Sequence, residues 1–342
     1  MRLGKVSLFL CAALMSAMLA MSAHAQAQAA AKAEPPTVPD LVEAAFRYGH
    51  FAELERLYAI YGKPGVRSPL TGTERVKHFW MGIGRISDSD LRVTEVYYSQ
   101  MDAMTGKWAL DHPQSILAQL LYANSLKAHG WYFRGDGYAN TVSPASWAAF
   151  GKYLNLALDH LRRNAALAAM DSSWNHQMLS VGRGLGWDSA HLLAVFENGI
   201  AKNPDDDELY FAMQTSMLPK WGGDLKTVER FIELVTQRTR DSRGMEMYAR
   251  LYAGLSYAEV KQSLFSGTHA SWPKMKAGFE DRLSRYPHSD HRNMYAYFAC
   301  MARDQQALQE QLGLIGDSFE PIFWGNSPER TFEECKAVAQ KL

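Results

Sequence analysis

The side chains that could do chemistry in this sequence fall into a few short groups, and each also has a plainer structural use. In Arg134-Gly135-Asp136-Gly137 the guanidinium could clamp a carboxylate with two hydrogen bonds. The structural use is a helix exit, in which glycine frees the backbone while Arg134 and Asp136 satisfy exposed amides and carbonyls or each other. In Pro219-Lys220-Trp221-Gly222-Gly223-Asp224 an indole beside a cation could meet a sugar or a peptide. Equally, Trp221 could be buried between helices with the Lys220 head in solvent. No Gly-x-x-x-x-Gly-Lys-Ser/Thr loop surrounds Lys220, so phosphate binding is not implied.

His288 and His291 could share a helical face, but Pro287 and Ser289 place them at a helix start, with Asp290 as its cap. Asp205-Asp206-Asp207 suits the start of a helix by its negative charge, and the rest of a calcium loop is missing. Neither His-Glu-x-x-His nor Gly-x-Ser-x-Gly occurs, and Ser172-Ser173 reads as a helix start behind Asp171. A glycosidase could draw two carboxylates from distant helices. Glu43, Glu53 and Glu55 read as solvated, which leaves Glu95, between aromatic stretches, as the acid to examine for burial. The sequence therefore assigns no catalytic residue, no metal ligand and no cofactor.

The elements that must position these groups are helices. Pro219 ends one helical pattern by denying an amide and crowding the preceding turn, Gly222 and Gly223 permit a tight backbone, and Asp224 caps the next helix. Ahead of that joint, Leu41, Ala44, Ala45 and Tyr48 form one stripe and Leu54, Leu57, Tyr58 and Tyr61 another, with a hinge at Gly49-His50. Asp111-His112-Pro113 marks an abrupt turn and puts proline in the first turn of the following helix. Ser143-Pro144 starts a long helix through Leu161, and Trp187-Asp188 opens another. A faint repeat joins Phe196, Pro204 and Ala212 with Phe279, Pro287 and Ala296, the ingredients of tetratricopeptide-like helix pairs without their regular period.

The chain of 342 residues opens with Arg2 and Lys5, an apolar run from Val6 through Met21 and then Ala23-His24-Ala25. That is the layout of a secretory signal over residues 1–25, followed by a flexible segment over 26–38 and a helical domain over 39–342, with two subdomains meeting near 135–145 as one division. Without the leader, acidic residues outnumber basic ones by two, which gives no reason to expect nucleic acid or an anionic membrane as partner. Cys300 and Cys335 remain, and in an oxidising compartment their pairing is expected.

Arg134-Gly135-Asp136-Gly137, Val142, Trp147 and Phe150, then Pro219-Lys220-Trp221-Gly222-Gly223, then Cys300, Trp324-Gly325, Phe332 and Cys335 together carry a resemblance. The pattern resembles the bacterial family called domain of unknown function 4034, similar to tetratricopeptide-type helical proteins. The resemblance implies an exported or envelope-associated helical domain and carries no catalytic residues across. The expectation is an all-α, irregular tetratricopeptide-like stack of antiparallel helix pairs, periplasmic or secreted. It would serve as a non-catalytic binding or scaffolding module for a protein or peptide, with Arg134, Lys220 and Trp221 as contact candidates. The alternative is a periplasmic hydrolase acting on cell-wall glycan or peptide through carboxylates in a helical cleft.

Overall fold

Helix starts are set by side chains that take over the unpaired amides of a first turn. The computed structural model describes residues 36–87, 94–135, 137 and 139–340. The leader, most of the 26–38 segment and Asp136 lie outside the described residues. Thr37 caps α1 (Val38–Arg47) in a reciprocal box with Asp40. There follow α2 (Phe51–Tyr61), α3 (Arg75–Ser87), α4 (Glu95–Asp111) behind Thr94 and α5 (Ile116–Arg134) behind Ser115. Ser143 caps α6 (Pro144–Arg163), and after the short α7 (Ala165–Ala168) Asp171 caps α8 (Ser172–Gly184). Asp188, Asp206 and Asp224 cap α9 (Ser189–Lys202), α10 (Asp207–Ser216) and α11 (Leu225–Arg243). The C-terminal part holds α12 (Glu246–Leu255), α13 (Leu264–Gly267), α14 (Trp272–Arg285), α15 (Ser289–Met301), α16 (Gln305–Ile315) and α17 (Pro328–Ala339). No strand occurs among the described residues, where an isolated bridge joins Arg67 and Glu74. The fold is all-α.

Three local expectations are corrected. Pro113 precedes its helix instead of entering the first turn, because the Ser115 hydroxyl accepts from the Ala118 amide at 2.9 Å and starts α5 at Ile116. The cap of α15 is His288, whose Nδ1 accepts from the Asp290 amide at 3.3 Å, so Asp290 already stands in the first turn. Glu95 is exposed in the first turn of α4, where negative charge meets the helix dipole without burial.

Helices pack against their chain neighbours, α4 on α5, α5 on α6, α8 on α9 and α11 on α12, while α1 also meets α3 and α8 also meets α10. That is the packing of stacked helix pairs, in which contacts stay near in sequence. The core is correspondingly divided. One cluster surrounds Phe46, Leu54, Phe79 and Trp108, a second Phe150, Leu154 and Met178, and a third runs from Phe196 and Tyr210 to Phe298 and Trp324. Trp80 and Tyr122 touch both of the first two clusters.

Two features reach across the stack. Arg67, in the loop between α2 and α3, bonds Asp207, and Asp207 also takes Arg243 and Arg250, each at 2.5 Å. Glu246 is gripped in turn by Arg250 at 3.1 Å, Arg282 at 2.5 Å and Arg285. Burial pushes the Asp207 carboxyl up, but Arg250, Arg243 and Arg67 together hold it well below the usual carboxylate range. Near the C-terminus a disulfide joins Cys300 on α15 to Cys335 on α17, with Cα atoms 5.7 Å apart, as the cysteine count predicts.

Candidate ligand cleft

A face of α3 presents Lys77, Trp80 and Gly84 at steps of three and four, so they stand one above another. On α5 the same spacing aligns Asn124, Lys127, Ala128 and Trp131, and on α8 it aligns Ser173, His176 and Gln177. These three faces meet around a cavity of about 540 Å³, which Tyr98 and Tyr132 help to line. A second cavity of about 220 Å³ lies beside it, lined by Lys77, Met81, Ser173, Asp206 and Glu208. Trp80, His176 and Gln177 line both, so the two form one cleft with an aromatic dividing wall.

That wall is fixed by hydrogen bonds from three helices. The Trp80 indole donates to the Ser173 hydroxyl at 3.1 Å, Tyr58 lies 3.2 Å from the same hydroxyl, and the Tyr58 hydroxyl donates to Asp171 at 2.5 Å. Asp171 is itself the cap of α8, accepting from the Ser173 amide at 2.8 Å. The residue that starts α8 thus also holds α2 and α3 in register with it.

The floor is cationic. Lys127 donates to the Gln177 side-chain oxygen at 2.8 Å, and the Gln177 amide donates to Asn124 at 3.2 Å. Burial first, and then the Arg183 charge, push the Lys127 ammonium down to about 8. His176 is pushed down to about 4 by burial and by Lys127, so it is neutral at pH 7 and offers hydrogen bonds in place of a charge. At the other end Glu208 pairs with Lys77 at 2.8 Å. Asp206 accepts from the Leu209 amide at 3.2 Å as a helix cap, and burial raises its carboxyl to about 6.

The residues singled out in the sequence are not gathered into this site. Arg134 turns back on its own loop, donating to the Gly135 carbonyl at 3.0 Å and to that of Gly137, and its guanidinium lies 5.6 Å from the Trp147 ring centre. Lys220 is exposed. Trp221 is half-buried at the margin of the cleft, its ring perpendicular to Trp131 at 5.7 Å and covered by the Arg183 guanidinium at 5.0 Å. The joint that carries it folds as expected, with a 3-10 turn over Pro219–Trp221, Gly222 in the left-handed region at φ 85° and Asp224 accepting from the Thr227 amide at 2.8 Å.

Lys127, Trp131, His176 and Arg183 were missed, and a signal for them exists. Lys127 and Trp131 stand one helical turn apart, and His176 and Arg183 two turns apart, which aligns each pair on one side of its helix. Behind the wall, Asp102 accepts from Ser125 at 2.6 Å and from Nδ1 of fully buried His129 at 2.6 Å. These are the residue types of a hydrolase triad in the wrong order. The carboxylate sits in the middle and takes both bonds, so the imidazole has no hydroxyl to deprotonate.

No family model, curated protein or solved structure matches this chain.

Proposed function

We propose that this chain is an exported, non-catalytic helical module that binds a protein or peptide in the cell envelope, with the cleft between α3, α5 and α8 as its recognition face. The observation that carries this is the union of two cavities across Trp80. It gives an elongated groove in which aromatic walls alternate with the side-chain amides of Asn124 and Gln177. An extended peptide needs that mixture, apolar surface for its side chains and hydrogen-bonding groups for its backbone. Export rests on the leader composition, and membership of domain of unknown function 4034 on the Pro219–Gly223 motif; both belong to the proposal.

The test places a photo-crosslinking amino acid at Tyr132, which is exposed at the cleft mouth, and at Lys226 as a control on α11. In envelope extract the Tyr132 position should capture a discrete protein or peptide, and Trp80→Ala should abolish the capture while leaving the circular dichroism unchanged. Equal capture from Lys226, or indifference to Trp80→Ala, overturns the proposed face. Recovery of a mature N-terminus other than Gln26 from exported protein would correct the leader boundary.

One observation favours the hydrolase alternative, the Asp206 carboxyl raised to about 6 in the wall of the smaller cavity beside Glu208. Turnover of envelope glycan or peptide that disappears in Asp206→Asn would establish it.

A further inference from the structure

We infer that the floor of the cleft is a carboxylate seat, in which Lys127, with the Arg183 charge behind it, holds the acidic group of a peptide whose apolar side chain lies between Trp80 and Trp131. This rests on the reading of the cleft as the recognition face.

Among the described residues the arginines of the buried charge cluster are neutralised, Arg67, Arg243 and Arg250 by Asp207 and Arg282 by Glu246. Lys127 and Arg183 are not. Lys127 places a donor on the neutral Gln177 amide, and among the described residues neither cation has a carboxylate within ion-pair distance. The Nε of Arg183 is buried without an acceptor, and so is the indole N–H of Trp221, against whose ring the guanidinium lies. Stacking on an aromatic face steadies a guanidinium but supplies no acceptor.

Lys127 lines the larger cavity and Arg183, packed on Trp221, stands near enough for its charge to act on the ammonium; leaving both without an acid is costly, and both groups register it. Burial holds the Arg183 guanidinium below its ordinary value, and burial with Arg183 does the same for Lys127. An anion entering beside Lys127 offsets the mutual repulsion and accepts a charge-assisted hydrogen bond from its ammonium. Among the described residues the acids of the neighbourhood lie at the far end, Glu208 tied to Lys77 and Asp206 engaged as a cap. The potential therefore falls along the groove, and an acidic group is drawn to the Lys127 end. A single carboxylate suits two cations that lack the ring of backbone amides used for a phosphate dianion.

The experiment is calorimetric titration of the mature chain with four probes. These are N-acetylphenylalanine, its amide, N-acetylglutamylphenylalanine amide and inorganic phosphate. The free acid should bind about tenfold more tightly than the amide, the worth of one or two charge-assisted hydrogen bonds. Arg183→Met and Lys127→Met should each erase that advantage while leaving the amide unchanged, and Lys127→Gln serves if the methionine variant does not fold. The glutamyl probe separates a side-chain carboxylate from a chain terminus as the source, and preferential binding of either acid supports the seat. Equal binding of acid and amide, no binding of either acid, equal loss of acid and amide in Arg183→Met, or phosphate binding more tightly than both acids overturns it. If the Tyr132 crosslink persists in Arg183→Met, the recognition face stands and only the carboxylate seat falls.

Discussion

Arg67 and Asp207, separated by 140 positions in the chain, are joined by two hydrogen bonds of 3.0 and 3.1 Å between one guanidinium and one carboxylate. Arg67 adds a bond to the Asp205 carbonyl at 2.5 Å, so the loop that delivers α3 is fastened to the start of α10. Since α3 carries Trp80, this pair sets one wall of the cleft against the elements that carry the rest of it.

Asp207→Asn should be strongly destabilising. It strips a charge partner from Arg67, Arg243 and Arg250, all of which are largely buried, leaving Arg243 with Asp205 and Arg250 with Glu246, and breaking a buried charge pair on one side costs about 3–5 kcal/mol. Urea unfolding should show the loss as a lowered midpoint. A change under about 1 kcal/mol, the range of exposed pairs, would mean that the cluster is solvated and does not lock the loop.

Glu74 gives a pH signature. Burial, reinforced by Asp206, pushes its carboxyl from 4.5 to about 8, even though Arg67 stands 4.0 Å away and Asn203 donates to it at 3.3 Å. Its other oxygen is buried without a partner. Between about 4.5 and about 8 the folded chain keeps a proton that the unfolded chain has released, so this contribution to stability falls as pH rises and levels off above about 8. From pH 6.5 to 8 the Glu74 contribution alone should fall by roughly 1.5 kcal/mol, while His78, His160, His176 and His291, whose ordinary value of 6.5 is depressed in the fold by burial, add stability over the same window. Glu74→Gln should therefore shift the slope in that window upward by that amount relative to the parent, and parallel stability curves for the two proteins would refute the assignment.

The adjacent glycines of the joint should respond differently to alanine. Gly222 is left-handed with open space around it, so Gly222→Ala costs only the backbone strain, about 1–2 kcal/mol. A Cβ on Gly223 would collide with the Met217 carbonyl, which belongs to the backbone and cannot swing away. Gly223→Ala should therefore cost more, and should also displace Trp221, visible as altered tryptophan emission. Equal melting temperatures would contradict this ranking.

Removing the disulfide should act on the C-terminal helices. Cys300 and Cys335 close a loop with a sequence separation of 35, and on the chain-entropy account such a link contributes about 4 kcal/mol. In Cys300→Ser/Cys335→Ser, hydrogen exchange should accelerate first in α17, because α15 stays packed on α14 and α16. Unchanged protection in α17 would show that packing alone holds it.

What the sequence determines by itself is local. The starts at Ser143, Asp171, Asp188 and Asp224 were legible because each cap side chain reaches an amide two or three residues ahead. Proline and glycine at the Trp221 joint act just as locally, and a mature domain with two cysteines leaves one pairing to predict. Charge compensation is different, because it depends on what other helices bring near. Glu95, chosen for its aromatic neighbours, is exposed, while Glu74, Asp207 and Glu246 are buried by partners 36 to 140 residues away. The cleft was hidden for a related reason. Helix α5 buries Gln119, Ser125 and His129 along with its leucines, so it is enclosed on several sides and its periodicity cannot separate a core face from a ligand face. Only the approach of α3 and α8 leaves Lys127 and Trp131 lining open space, and only the tertiary structure gives Arg243 and Arg282 their acids while Lys127 and Arg183 meet none among the described residues.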